Sequence, residues 1–257
     1  MRSKDISPIL EGWDFQPDRI SVRKIVGLDG KPKIQLRLDM GLLQMEVEGR
    51  PDGKRPYGYE SLLEYYLSLL EEHRESKGSD EDFVLTHDDC MALMREAVQY
   101  YYRYLSLFHL QDFEGVLRDT ERNLKVFDLV KRYAEDERDK WAFEQYRPYV
   151  LMMRARAKGA LKLAQEDYDG ALEEVEEAIE QIKSFFKEHG REELMEESQE
   201  LKVLEEWKEE LKSKRPKGAR EWLEEQLRLA VEREEYEKAA RLRDQLRALE
   251  RQQRRPS

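Results

Sequence analysis

The residues best equipped for chemistry in this chain are the run His87-Asp88-Asp89-Cys90 and a base-containing loop, Gly49-Arg50-Pro51-Asp52-Gly53-Lys54-Arg55-Pro56-Tyr57-Gly58. An imidazole, two carboxylates and a thiol are the groups of a metal site or of an activated nucleophile. Their spacing argues against both, because consecutive residues on a helix point to different sides and cannot converge on one ion. A helix start is the expected role instead. Thr86 stands as an N-cap, with Asp89 three residues on, where the helix dipole favours an acid. The remaining histidines, His73, His109 and His189, share no ligand spacing such as i, i+4. No Walker loop, G-x-G-x-x-G, G-x-S-x-G or Cys-x-x-Cys occurs. With 57 acids in the chain, pairs of Glu say nothing about acid–base catalysis. The expectation is a protein that is not an enzyme, with no catalytic residue, no metal ligand and no cofactor.

In the loop, Arg50, Asp52, Lys54 and Arg55, with the free backbone N–H groups of a turn-rich segment, form the best candidate pocket for an anion or a partner's carboxylate. The preferred reading is plainer: a rigid connector in which Pro and Gly set a sharp path from strand to helix.

What would position these residues follows from composition and periodicity. A chain of 257 residues suits a core domain plus an appendage. Only 39% of residues are hydrophobic and 40% are charged, against roughly 25% charged in an average domain. Such a surplus must sit on long solvated faces. No stretch approaches the ~18 apolar residues of a membrane span, and no apolar run follows Met1-Arg2-Ser3-Lys4-Asp5, so no membrane association and a cytoplasmic location are expected. Cys90, the single cysteine, rules out an intramolecular disulfide and fits a reducing compartment. A net charge of −11 disfavours general nucleic-acid binding. That charge is concentrated: Gln165 to Glu210 holds 18 acids and 5 bases, whereas Ala219 to Ser257 holds 9 acids and 10 bases. The acidic stretch reads first as a solvated face, and second as a surface able to steer a basic partner.

Residues 1–58 are the only part that reads as β. Arg19 to Val26, an Asp29-Gly30 turn signal, Lys33 to Met40 alternating at period two, and Leu42 to Glu48 predict a small antiparallel sheet of two or three strands, with one face in a core. A sheet this small must pack on helices. Residues 59–212 read as helical, opening with the stripe Leu62, Leu63, Tyr66, Leu67, Leu69 and Leu70, broken at Ser76 to Asp80, and resuming from Thr86 through Leu107. The aromatic residues of that second helix are expected in the core. Gly190 is expected to end a helix, and a further helix is expected from Glu192 to Lys212 with Leu194, Leu201, Leu204 and Trp207 on its apolar stripe. Residues 213–218 form a basic, turn-rich linker, and residues 219–257 a final module with the basic tail Arg251-Gln252-Gln253-Arg254-Arg255.

An internal repeat is visible in the helical part. Asp112-Phe113-Glu114-Gly115-Val116-Leu117 recurs as Asp167-Tyr168-Asp169-Gly170-Ala171-Leu172, with the two aromatics 55 residues apart. Similarity at a fixed offset marks stacked helical hairpins. The second copy resembles a tetratricopeptide (TPR) repeat, with Gly159 and Leu161 on a first helix, Tyr168 at the turn, and Ala171, Val175, Ala178 and Ile179 on a second. The small residues Gly159, Ala171 and Ala178 would let helix backbones approach closely.

Near the C-terminus stands Tyr236-Glu237-Lys238-Ala239-Ala240-Arg241-Leu242-Arg243-Asp244-Gln245-Leu246. It resembles the UVR motif, whose heart is an aromatic, Glu, any residue, Ala-Ala, any residue, Leu-Arg-Asp. Leu223, Leu227 and Ala230 fall at the apolar positions upstream. Periodicity alone gives the same element: positions 223, 227 and 230 share one helical face, and 239, 242, 246 and 249 share another. Ala239 and Ala240 predict a tight helix crossing, with Arg243 and Asp244 in charged contacts around it, and a charge placed at Ala240 is expected to abolish pairing. A hairpin this short leaves apolar surface uncovered and needs a second hairpin, from its own twin or from a partner.

The resemblance implies a bacterial module for protein–protein contact, since UVR hairpins occur in the excision-repair subunits UvrB and UvrC and in other bacterial proteins that share contact and not a reaction. The fold class expected is mainly α: a TPR-like body, a small N-terminal antiparallel sheet and a C-terminal two-helix UVR hairpin. The function expected is a non-catalytic adaptor or scaffold of the bacterial cytosol that recruits protein partners or forms a homodimer. Its binding residues are Leu223, Leu227, Ala230, Tyr236, Ala239, Ala240, Leu242, Arg243, Asp244 and Leu246. The alternative is an accessory factor of nucleotide excision repair that contacts UvrB, UvrC or DNA.

Overall fold

The computed structural model describes residues 5–216 and 219–253, with residues 219–221 and 248–253 described by backbone alone. The N-terminal Met1 to Lys4, the apolar position Leu249 and the basic tail Arg251 to Arg255 therefore lie outside the described side chains. The chain divides into two units, Met1–Glu209 and Glu210–Ser257.

The first unit opens with a single helical turn, α1 (Ser7–Leu10), and a three-stranded antiparallel sheet in the order β1 (Val22–Val26), β2 (Pro32–Leu38), β3 (Gly41–Glu46). Two registers fix it: Lys24 opposite Ile34, and Leu36 opposite Leu43. The Asp-Gly signal makes the first turn, with Gly30 at φ +75° donating its N–H to Gly27 O at 3.0 Å. Strand β2 puts one face in a core, as expected, and its other face is covered too. Ile34 and Leu36 are buried as the period-two pattern requires, yet Lys33 and Gln35 are buried as well. Their face is covered by polar partners: Lys33 pairs with Asp29 and Glu46, and Gln35 donates to Gln44 and accepts from Arg23, whose guanidinium lies 3.9 Å from the Trp13 ring centre.

Helices follow: α2 (Leu62–Lys77), α3 (His87–His109), α4 (Phe113–Tyr133), α5 (Glu137–Glu144), α6 (Arg147–Leu163), α7 (Tyr168–Glu188) and α8 (Gln199–Lys214). Gly78 ends α2 at φ +74°. Thr86 starts α3 with the expected cap: its hydroxyl accepts the Asp89 N–H, and Asp89 accepts the Thr86 N–H at 2.9 Å. Gly190, at φ +60°, follows α7 as expected. The helix expected from Glu192 begins later, because Glu192–Met195 closes as one 3₁₀ turn and the Ser198 hydroxyl accepts the Leu201 N–H at 3.3 Å to start α8. The unit boundary falls within α8, which continues into the expected linker as far as Lys214.

Helices α3 and α4 pack as one hairpin and α6 and α7 as another, burying Leu93, Leu107, Val116, Val130, Val150, Val175 and Ile182. Gly159 has a different role from the one its size suggested. A Cβ there would stand 2.5 Å from Cη2 of Trp207, so the glycine makes room for an indole ring of α8 and not for a neighbouring backbone.

The second unit consists of α9 (Ala219–Glu232) and α10 (Tyr236–Gln253), the two-helix element expected at the C-terminus. Its turn repeats a design used twice in the first unit. Gln111, Glu166 and Glu234 each adopt a left-handed φ, of 58° or 59°. The next N–H in each case reaches back five residues to a helix carbonyl: Asp112 to Leu107 at 2.9 Å, Asp167 to Lys162 at 3.0 Å, Glu235 to Ala230 at 2.8 Å. These are helix-ending bonds of the 6→1 kind, which satisfy carbonyls left open by the preceding helix. The following helix then starts on an aromatic residue, Phe113, Tyr168 or Tyr236, and buries the position three further on, Val116, Ala171 or Ala239.

Candidate interaction surfaces

The C-terminal hairpin is held by a very small core. Leu223 and Ala230 of α9 meet Ala239 and Leu242 of α10, with Leu227 and Leu246 partly buried against them. These six are the apolar positions that spacing placed on the two inner faces. Beside the core, apolar side chains are left open: Trp222 is 51% exposed, Val231 53% and Tyr236 68%. Ala240 is exposed as well, which corrects the expectation that both alanines lie in the crossing. On a 3.6-residue helix, 239 and 242 face the partner helix, whereas 236, 240 and 243 form the adjoining shoulder. Arg243 and Asp244 are also exposed, and the ion contact recorded for them is with each other, at 4.0 Å. Among the described residues they make no charged contact across the crossing.

In the Gly49–Gly58 loop both arginines have acidic neighbours. Arg50 lies 3.2 Å from Oδ1 of Asp52 and 3.2 Å from Oε2 of Glu96, a fully buried carboxylate. The Asp52 carboxylate accepts the backbone N–H of Lys54 at 3.0 Å, and Arg55 stands 3.9 Å from Glu60. Lys54 and Arg55 line a shallow cleft of about 370 Å³, where Asp29, Glu46, Glu48 and Glu60 offset Lys31 and the loop's cations. This arrangement suits a connector, as the plainer reading has it, and presents no excess of positive charge to an anion.

The loop is pinned by a buried ion network that periodicity did not reveal. Arg103 of α3 donates from Nε and Nη2 to the two oxygens of Asp119 of α4, at 2.7 and 2.8 Å, and from Nη1 to the carbonyls of Glu46 and Gly49. Glu96 pairs with Arg122 and accepts the Leu62 N–H on both oxygens, which caps α2 from another helix. Both guanidinium groups lie near the Tyr100 ring, that of Arg103 4.9 Å and that of Arg122 4.1 Å from its centre. Glu96 and Arg103, seven residues apart on an apolar helical face, were the available signal.

The His87 to Cys90 run does not assemble a nucleophile. His87 Nδ1 lies 2.8 Å from Asp139 Oδ1, while Asp89 is occupied by the cap and by the Tyr66 hydroxyl at 2.6 Å. Cys90 is buried, and burial first, then the charges of Asp139 and Asp89, push its thiol up to about 12. A thiol held protonated is a poor nucleophile and a poor metal ligand. Among the described residues no group of His, Cys, Asp and Glu is arranged to hold a metal ion, and no helix is long and apolar enough to cross a membrane.

One further surface lies on α3 beside the core stripe. The tyrosines of α3 do not all enter the core: Tyr100 and Tyr104 are buried, but Tyr101 and Tyr102 are half-buried and line an open groove of about 690 Å³ with Tyr146 and Tyr149. The signal was a second apolar stripe on the same helix, Met94, Val98, Tyr101 and Leu105, beside the core stripe Leu93, Ala97, Tyr100, Tyr104 and Leu107.

The geometry thus defines a mainly helical protein that ends in a short helical hairpin with apolar side chains left uncovered. Residues 222–252 match the family model of the UvrB/uvrC motif (UVR), a protein-interaction motif, and so cover both helices of that hairpin. Comparison with curated proteins and comparison with solved structures found no match.

Proposed function

We propose that this chain is a non-catalytic adaptor of the bacterial cytosol, whose C-terminal hairpin pairs with another polypeptide, either a second copy or a partner carrying a comparable hairpin. The observation that carries this is the match of residues 222–252 to a protein-interaction motif, on a hairpin that leaves Trp222, Tyr236 and Ala240 open beside a six-residue core. Short helices gain most of their stability from packing, so covering this shoulder stabilises both hairpin and complex. The TPR-like body, a pair of helical hairpins with the same turn, supplies a second contact.

The motif's description supports one second reading, an accessory factor of nucleotide excision repair that contacts UvrB or UvrC through the same hairpin. Pull-down from the source cell with the full chain, with Ala240→Glu and with residues 219–257 removed tests both. Partners recovered with the full chain and lost with either variant agree with the adaptor reading. Recovery of repair subunits selects the second. Identical recovery in all three samples overturns the role given to the hairpin.

A further inference from the structure

The groove of the first unit has walls whose chemistry is incomplete. Val98, Tyr101 and Tyr102 line it from α3, Tyr146 and Tyr149 from the start of α6, and Glu200 of α8 is the one charged side chain among its lining residues. Tyr101 is the hub, with ring centres 5.2 Å from Tyr102 and 6.0 Å from Tyr149, both tilted by more than 50°. These rings line one open groove, and tyrosine π faces and phenol oxygens are groups that attract a cation. Glu200 strengthens that attraction. Burial first, then Tyr101 and the Glu200 carboxylate, against an opposing effect of Arg156, hold the Tyr149 phenol up at about 12.

Elsewhere the protein completes such rings with arginine. Arg122 lies 4.1 Å from the centre of Tyr100, Arg191 4.6 Å from Trp141, and Arg156, two turns beyond Tyr149 on α6, 4.5 Å from Phe108. Among the described residues no cation stacks on Tyr101, Tyr102, Tyr146 or Tyr149.

We propose that this groove binds an arginine-bearing segment of a partner protein, with the guanidinium stacked on the tyrosine faces and paired with Glu200. A planar guanidinium is weakly hydrated and stacks while it donates hydrogen bonds, which the more strongly hydrated lysine ammonium does less well. A volume of about 690 Å³ admits the arginine with its nearest neighbours, and the Val98 stripe takes an apolar flank. The acidic stretch Gln165 to Glu210, with 18 acids and 5 bases, attracts a basic segment and repels the phosphates of a nucleic acid that would otherwise stack on the same rings. The inference rests on the adaptor reading for the existence of a partner and gives the body's contact its chemistry.

The test uses the full chain and fluorescent peptide pools with randomised flanks around a fixed Arg, Lys or Gln, together with a labelled single-stranded oligonucleotide. The arginine pool is expected to bind on the order of tenfold tighter than the glutamine pool, with lysine between them. Tyr146→Ala, at an exposed ring, and Glu200→Gln are each expected to weaken arginine binding several-fold (about 3–10 times) with an unchanged thermal midpoint. Ala240→Glu leaves it intact, which separates this site from the hairpin. The proposal is overturned by equal affinity for arginine and glutamine pools, by no saturable binding of the arginine pool, by indifference to both groove variants, or by tighter binding of the oligonucleotide.

Discussion

Ala239 and Ala240 are neighbours in α10 with opposite surroundings: Ala239 is packed against Leu223, Ala230 and Leu242, and Ala240 is open to solvent. A charge at the first position enters a core with no partner for it, which costs several kcal/mol. We therefore expect Ala239→Glu to melt the hairpin and Ala240→Glu to leave it folded while its association is lost. Amide exchange over residues 222–247 distinguishes them, with fast exchange in the first variant and, in the second, the protection of a folded hairpin without its partner. Equal exchange in both would contradict the placement of the crossing.

The Arg103–Asp119 pair is fully buried and doubly hydrogen-bonded. Removing one partner leaves a buried charge unpaired, so Asp119→Ala is expected to cost about 3–5 kcal/mol in urea unfolding. Because Arg103 also holds the Glu46 and Gly49 carbonyls, exchange should quicken in the Gly49–Gly58 loop. A loss below about 1 kcal/mol would place the pair among those of little consequence.

Gly159 accommodates the Trp207 ring with no space for a β-carbon. Gly159→Val is expected to destabilise the first unit by about 1–3 kcal/mol, read from the thermal midpoint, with a change in Trp207 emission. An unchanged midpoint would mean that α8 can move away without cost.

Asp80 joins α2 to α4 by accepting from the Tyr133 hydroxyl at 2.7 Å, Arg74 at 2.6 Å and Arg132 at 2.9 Å. The Tyr133 hydrogen bond first, then Arg74, hold its carboxyl down at about 2, below the usual 3.8. A depressed folded-state pKa means that its contribution is present above about pH 4 and is lost as pH falls through 2. Asp80→Asn should lower the melting temperature at neutral pH and flatten its fall between about pH 4 and 2. Parallel curves for the two proteins would remove Asp80 from the account.

Much of the architecture is legible in residue patterns because local rules govern it. Alternation over Lys33 to Met40 gives β2, Thr86 with Asp89 gives the start of α3, and the repeated Asp-aromatic signature gives two of the three hairpin turns. The third, at Glu234-Glu235-Tyr236, follows the same rule with Glu where the others have Asp. What remained hidden depends on which of two adjacent faces a partner element covers. The motif joins Ala239 with Ala240, and the aromatic stripe of α3 groups Tyr101 and Tyr102 with Tyr104, and only packing shows which of them are buried and which open. The buried charges Glu96, Arg103 and Asp119 were obscured for the same reason, since in a chain rich in charge a core carboxylate looks like any other.

The role given to the hairpin requires that the shoulder of α10 be covered by another polypeptide. A photo-crosslinking phenylalanine derivative in place of Tyr236, activated in the source cell, reads this directly. A defined crosslinked species is expected, with a second copy or a distinct partner, and it should disappear in the Ala240→Glu background. No crosslinked species above the yield at an exposed position of the body such as Glu121, or one indifferent to Ala240→Glu, would contradict it.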